Sequence, residues 1–148
     1  MNLGKAASYI ILIAEDDEDD YLFVIEALKE AGIGNQAHWV KDGEELMDFL
    51  NGSLQEENKK TSPIAIILLD LNMPKKDGLE ALEEIKSHAI FRKIPVIVLT
   101  TSGEASEITH AYELGANSYI QKPIRYSEYL KTIEVLRNYW FSAVRIPL

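Results

Sequence analysis

The sequence predicts an α/β fold in which a doubly wound parallel sheet is covered by helices on both faces. Two observations carry this expectation. Five short apolar runs rich in β-branched residues alternate with segments of helical period. Polar residues then close three of those runs, where an open α/β sheet presents its ligand-binding edge. The length of 148 residues with 47% hydrophobic content suits one domain with its own core. No domain boundary, internal repeat or low-complexity tract interrupts residues 1–148.

The elements follow in order. The first strand is read at Tyr9 to Glu15. After it Tyr21, Val24, Ile25 and Leu28 recur at helical spacing, and Gly32 closes that helix. A second strand, Ala37 to Lys41, leads into Asp42-Gly-Glu-Glu45, which resembles a capping box ahead of Leu46, Phe49 and Leu50. The polar stretch Ser53 to Pro63 has no period and reads as a long surface loop. Ile64 to Asp70 is a strand apolar enough for burial on both faces, and Asp77-Gly78 launches the helix carrying Leu79, Leu82 and Ile85. Strands at Pro95 to Thr100 and Asn117 to Gln121 are each followed by a helix. The fourth helix bears Ile108, Ala111 and Tyr112, and the fifth bears Leu130, Ile133 and Leu136.

Composition excludes several function classes. There is no cysteine, hence no disulfide framework, thiol nucleophile or thiolate zinc site. Twenty-four acids against fifteen Lys and Arg give a net charge of -9, which repels phosphate backbones and argues against nucleic acid as a partner. No apolar run approaches the roughly 20 residues of a membrane helix, and Met1 to Ser8 lacks a secretory apolar stretch, so a cytoplasmic protein without a membrane partner is expected. His38, His88 and His110 lack ligand spacing, and Gly32-Ile-Gly34 follows a helix, the reverse of what phosphate binding requires.

The chemistry concentrates at strand ends. If the first and third strands are neighbours, Glu15, Asp16 and Asp70 converge. Three carboxylates so placed either take raised pKa values or bind a cation, and hard oxygen donors suit magnesium. Asp17 to Asp20 read more simply as a solvated acidic run at a helix N-terminus, where the dipole favours them. Asp70 ends a buried strand several residues before the next helix, so it is poorly explained as a cap, a role that fits Asp77. Lys122, just before Pro123, would point into the same mouth and pair with Asp70, or else be an ordinary exposed lysine. Thr100 is either a reactive hydroxyl or a routine strand terminus.

Together these residues resemble the receiver-domain family of two-component signalling over about Tyr9 to Arg137. The acidic pair Glu15 and Asp16, Asp70 after the third strand, Thr100 after the fourth and Lys122-Pro123 after the fifth match in order. Asp70-Leu-Asn-Met-Pro-Lys-Lys-Asp-Gly78 is itself close to a family signature. The resemblance implies a flavodoxin-like (βα)5 three-layer sandwich with strand order 2-1-3-4-5. It implies that Asp70 is the phosphoacceptor for a sensor histidine kinase, and that Mg2+ or Mn2+ is held by Glu15, Asp16, Asp70 and the backbone carbonyl of Asn72. Lys122 and Thr100 would then contact the phosphoryl group, Thr100 and Tyr119 would form the switch, and Asn72 and Ser102 would modulate dephosphorylation. For Tyr119 a plain packing role fits equally. Glu15 departs from a paired aspartate by one methylene, which affects how the cation is reached.

A switch of this kind is a phosphoacceptor rather than an enzyme, with at most slow autodephosphorylation. An aspartyl-nucleophile phosphatase would want a second acid where Asn72 stands, and a degenerate interaction module would lack Asp70 or Lys122. Beyond the core, at about 9–137, the apolar segment 138–148 either folds back through Trp140, Phe141 and Val144 or forms a homodimer or docking surface. Its length, with the long loop, resembles the small regulators paired with phytochrome-type histidine kinases.

Overall fold

The computed structural model describes residues 9–55 and 62–148. The expectation about Met1 to Ser8, and positions 56–61 of the polar loop, lie outside the described residues. Five parallel strands form one sheet: β1 (Ile10–Ala14), β2 (Ala37–Val40), β3 (Ile64–Leu69), β4 (Val96–Thr100) and β5 (Ser118–Gln121). Their order is β2-β1-β3-β4-β5, as the resemblance implied. The helices are α1 (Glu18–Glu30), α2 (Gly43–Gly52), α3 (Gly78–Ser87), α4 (Ala105–Glu113) and α5 (Tyr126–Asn138).

Each strand is shorter than its apolar run by a residue at one or both ends, and several of the trimmed residues still hold the ladder by single bonds. The Glu15 N–H donates to Val40 O at 3.0 Å, that of Asp70 to Ala14 O at 3.0 Å, and that of Asn117 to Val96 O at 2.9 Å. Glu15 and Asp70 therefore hang from the last rung of the sheet, on backbone that is fixed but no longer flanked on both sides.

Alternation along the strands divides the interior in two. Ile67 and Leu69 of β3 point towards α2, α3 and α4, joining Leu46, Leu50, Leu82 and Ile85. Ile66 and Leu68 point towards α1 and α5, joining Val24, Leu28, Ile133 and the fully packed Tyr129. Tyr112, read as part of the inward face of the fourth helix, is instead 49% exposed, because α4 buries only Ala111.

Helix ends follow local chemistry. Asp77 and Glu80 form a reciprocal capping box at α3. At α2 Asp42 accepts from the Glu45 N–H at 2.8 Å, but Glu45 reaches back to Lys41 rather than to Asp42. Gly32, at φ 84°, ends α1 in the left-handed region, with Ile33 N–H donating to Leu28 O at 2.9 Å.

Beyond α5 a turn of π-helix, Tyr139–Ala143, carries Phe141 onto Tyr9 with ring centroids 4.9 Å apart. Trp140 and Ile146 pack on the same layer, while Pro147 and Leu148 reach a groove beside Ile64 and Ile94 of the opposite layer. Of the two readings of the tail, the fold-back is the one seen for Trp140 and Phe141. Val144 is only half-buried.

Candidate functional site

The site assembles at the carboxyl edge, where the chain leaves β1 outward to β2 and returns to β3. Glu15 is held by its backbone on both sides: its N–H binds Val40, and its carbonyl accepts from Trp39 Nε1 at 2.7 Å. Trp39 is itself clamped, stacked on Tyr21 at 4.0 Å with the Lys41 ammonium 4.9 Å from its ring. The Glu15 side chain, 4% exposed, cannot turn outward and lies against the mouth.

Asp70 is positioned from beneath. The Gly78 N–H donates to Leu71 O at 2.9 Å, and a Cβ at Gly78 would collide with the Asp70 carbonyl oxygen and Leu71 Cα. Only glycine lets α3 begin that close to Asp70. The loop between is pinned at a second point, where Lys75, at φ 64°, places its ammonium 3.7 Å from Asp42 at the start of α2. Asp70 Oδ1 accepts from the Asn72 N–H at 3.2 Å.

Thr100 is fully buried, and Asn72 Nδ2 approaches its hydroxyl at 3.4 Å. Its carbonyl accepts from Lys122 N–H at 2.6 Å, which fixes the base of the lysine. The Lys122 ammonium, on a side chain 4% exposed, lies 2.6 Å from Glu15, 2.7 Å from Asp20 and 3.5 Å from Asp70. The expected pairing with Asp70 is thus the longest of three, because Glu15 and the first turn of α1 reach the ammonium first.

Glu15, Asp16 and Asp70 each offer one carboxylate oxygen, and these atoms all lie within 4.8 Å of one another. Asp16 is exposed, giving the cluster a solvent side. Burial pushes the Glu15 carboxyl up, Lys122 pulls it down and repulsion from Asp70 pushes it up again, with the net result about 8. For Lys122 burial acts downward, but its bonds to Asp20 and Glu15 and the Asp70 charge prevail and raise it. One lysine does not neutralise four carboxylates. The donor set fits a small hard cation beside them.

Tyr119 and Ser102 stand beside this centre. The Tyr119 hydroxyl donates to Ser102 O at 2.9 Å, and its backbone N–H donates to the Tyr112 hydroxyl at 3.1 Å. The Ser102 hydroxyl is turned away from Asp70, donating to the Glu107 carboxylate and accepting from Glu104 N–H.

Sequence reasoning placed Asp20 in a solvated run. That holds for Glu18 and Asp19, and Asp17 is the cap of α1, but Asp20 is drawn inward to Lys122. The one available signal was spacing, since a residue three past the cap returns to the side of the strand end. The Trp39 clamp on Glu15 and the Asp42–Lys75 tie carried no sequence signal. The three histidines are packing or surface residues, with His38 on Phe49, His88 on Phe91 and His110 exposed on α4.

Comparison with known proteins agrees. A family model described as "Response regulator receiver domain" matches residues 11–134. "Response regulator Rcp1" of Synechocystis is 37% identical over 138 residues, covering 93% of this chain and 92% of that protein, and its Mn(2+)-bound crystal structure superposes with a TM-score of 0.82, over 94% and 99%. "Probable methanogenesis regulatory protein FilR2" of Methanothrix harundinacea is 35% identical over 139 residues, covering 94% and 88%. The crystal structure of the phosphorylated cyanobacterial phytochrome response regulator RcpA superposes with a TM-score of 0.85 at 36% identity, over 97% of this chain and all of that one.

Proposed function

Because this chain belongs to the response regulator receiver domain family and is related to phytochrome response regulators, we propose that it is a phosphorylation switch in which Asp70 accepts a phosphoryl group from a sensor histidine kinase. The observation that carries this reading is the Asp70 carboxylate itself, nearly buried at the end of β3, with the Lys122 ammonium and two further carboxylates beside it. An Asp70 oxygen attacks phosphorus in line, the bond to the donor imidazole breaks, and its electron pair leaves with the imidazole. The product is an acyl phosphate on Asp70.

Glu15, Asp16, Asp70 and the Asn72 carbonyl are the residues that would hold Mg2+ or Mn2+, which when bound neutralises charge on the transferring group. The manganese form of Rcp1 supports that choice of ion. Lys122 balances the phosphoryl oxygens. Thr100 donates its hydroxyl to the phosphoryl group and leaves Asn72, and Tyr119 gives up the Ser102 carbonyl to follow. The phosphoryl group biases this pair because it binds one arrangement better than the other. Asn72 and Ser102 set how readily water removes the group. With Asn72 where a hydrolase would place a second acid, the protein is a switch with slow autodephosphorylation rather than a turnover enzyme.

The 148 residues act as one receiver unit whose tail completes the packing. RcpA, a phytochrome response regulator by name, supports a kinase of the phytochrome type as donor, and the proposed switch is cytoplasmic, with a changed protein contact as its output, a homodimer included, rather than binding of nucleic acid. Among the described residues no helix is long and apolar enough to cross a membrane.

Intact mass after incubation with acetyl phosphate and Mg2+ tests the reading. A gain of one phosphoryl group that requires the ion and disappears in Asp70→Asn is expected. Folded protein that gains nothing from acetyl phosphate or from a histidine kinase points instead to a phosphorylation-independent interaction module.

A further inference from the structure

Asp20 is the acid at the site with no place in the phosphoacceptor chemistry. It stands in the first turn of α1, its carboxylate 2.7 Å from the Lys122 ammonium, and its side chain is 28% exposed. Glu15, the other close partner of Lys122 at 2.6 Å, is 4% exposed. Asp70, where the phosphoryl group would sit, is the most distant of the three at 3.5 Å. The lysine backbone cannot follow a new partner freely, since its N–H is bonded to Thr100 O. Only the side chain can redirect the ammonium.

The ammonium has three N–H donors, two on its short bonds to Glu15 and Asp20 and the third towards Asp70, so drawing it closer to a phosphoryl oxygen on Asp70 stretches the short bonds. Glu15 is one of the carboxylates that would hold Mg2+, and once turned to the ion it no longer retains the ammonium, which leaves Asp20 as the close partner still holding it. Loosening Asp20 exposes its carboxylate to water, which solvates it at little cost. Asp20 is therefore the exchangeable partner.

We infer that Asp20 is a positioning residue that holds Lys122 back from Asp70 in the unphosphorylated protein and competes with the phosphoryl group for it. The inference rests on Asp70 being the phosphoacceptor. Asp20 then sets how far the resting state is favoured over the phosphorylated one without touching the transferred group.

Beryllofluoride, which mounts on an acceptor carboxylate as a tetrahedral stand-in for phosphoryl, reads this directly. Binding to the full chain at saturating Mg2+ is followed by 19F NMR for the wild type, Asp20→Asn, Asp20→Glu and Glu18→Gln. Asp20→Asn is expected to bind roughly three- to five-fold more tightly, the range a partly exposed ion pair supports. Asp20→Ser repeats the measurement with a different replacement. Glu18→Gln, which removes a charge from the same turn but makes no bond to Lys122, stays within about two-fold of wild type, and Asp20→Glu restores wild-type affinity.

Tightening is an outcome that damage to the fold does not produce. Unchanged or weaker binding in both Asp20→Asn and Asp20→Ser overturns the inference. Equal tightening in Glu18→Gln or Asp20→Glu does so too, since the effect would then be the general field or the loss of the native geometry. A wild type that binds no beryllofluoride overturns the phosphoacceptor reading, and this inference with it, whereas a wild type that binds while Asp20→Asn gains nothing overturns this inference alone.

Discussion

Gly78 lies so close beneath Asp70 that a single methyl group on it would strike the Asp70 carbonyl oxygen. The start of α3 and the end of β3 thus share one packing decision. Gly78→Ala should cost about 2–3 kcal/mol in urea unfolding, the range of an overpacked backbone contact. It should also slow labelling by acetyl phosphate, because relief of the clash must displace the acceptor. A variant as stable and as reactive as the wild type would contradict the close approach.

Asp70→Asn should unfold later than the wild type, by about 1 kcal/mol, even as it abolishes phosphorylation. Asp70 repels Glu15 in a nearly buried cluster, and removing that charge relieves the repulsion. Thermal and urea unfolding without divalent ions make the comparison. A destabilised Asn variant would mean that the 3.5 Å approach of Lys122 outweighs the repulsion.

The pH dependence follows from Glu15, whose carboxyl is raised from 4.5 to about 8. Folded protein keeps this proton where the unfolded chain has lost it. Its contribution to stability is therefore full below pH 4.5 and is lost as pH rises through 8. Mg2+ reverses the trend, because a ligating carboxylate must shed its proton, so Mg2+ affinity should climb from pH 6 to pH 8 with proton release in calorimetry. A flat profile would show Glu15 already ionised at pH 6.

Phe141→Ala should destabilise the protein by about 3 kcal/mol while leaving acetyl phosphate labelling at its wild-type rate. The ring is 8% exposed, stacked on Tyr9 at the start of β1 and distant from the carboxyl edge. A loss below 1 kcal/mol would mean that the tail rests on the core without supporting it.

How much of this was legible in the sequence depended on how local the cause was. The strands were legible because burial on both faces leaves runs such as Ile64 to Leu69 uniformly apolar, and the cap at Asp77 because side chain and backbone lie three residues apart. Convergence of Glu15, Asp16 and Asp70 followed from strand ends once the first and third strands were taken as neighbours, which they are. Asp20 was hidden because six consecutive acids do not say which one faces inward. The partners of Lys122 depend on small differences of distance between elements from 52 to more than 100 residues apart, and no periodicity encodes them. Tyr112 was misplaced because α4 is so lightly buried that a helical stripe overstates its inward face.

The sheet is widest in its middle, with six residues in β3 against four each in the outermost strands β2 and β5. Unpaired backbone on an outer strand is the usual template for adding a foreign strand, and length is what makes such a template effective. Here each free margin offers about two residues' worth of outward-facing amides. At four residues each, the outer strands are therefore a poor template for edge-to-edge aggregation.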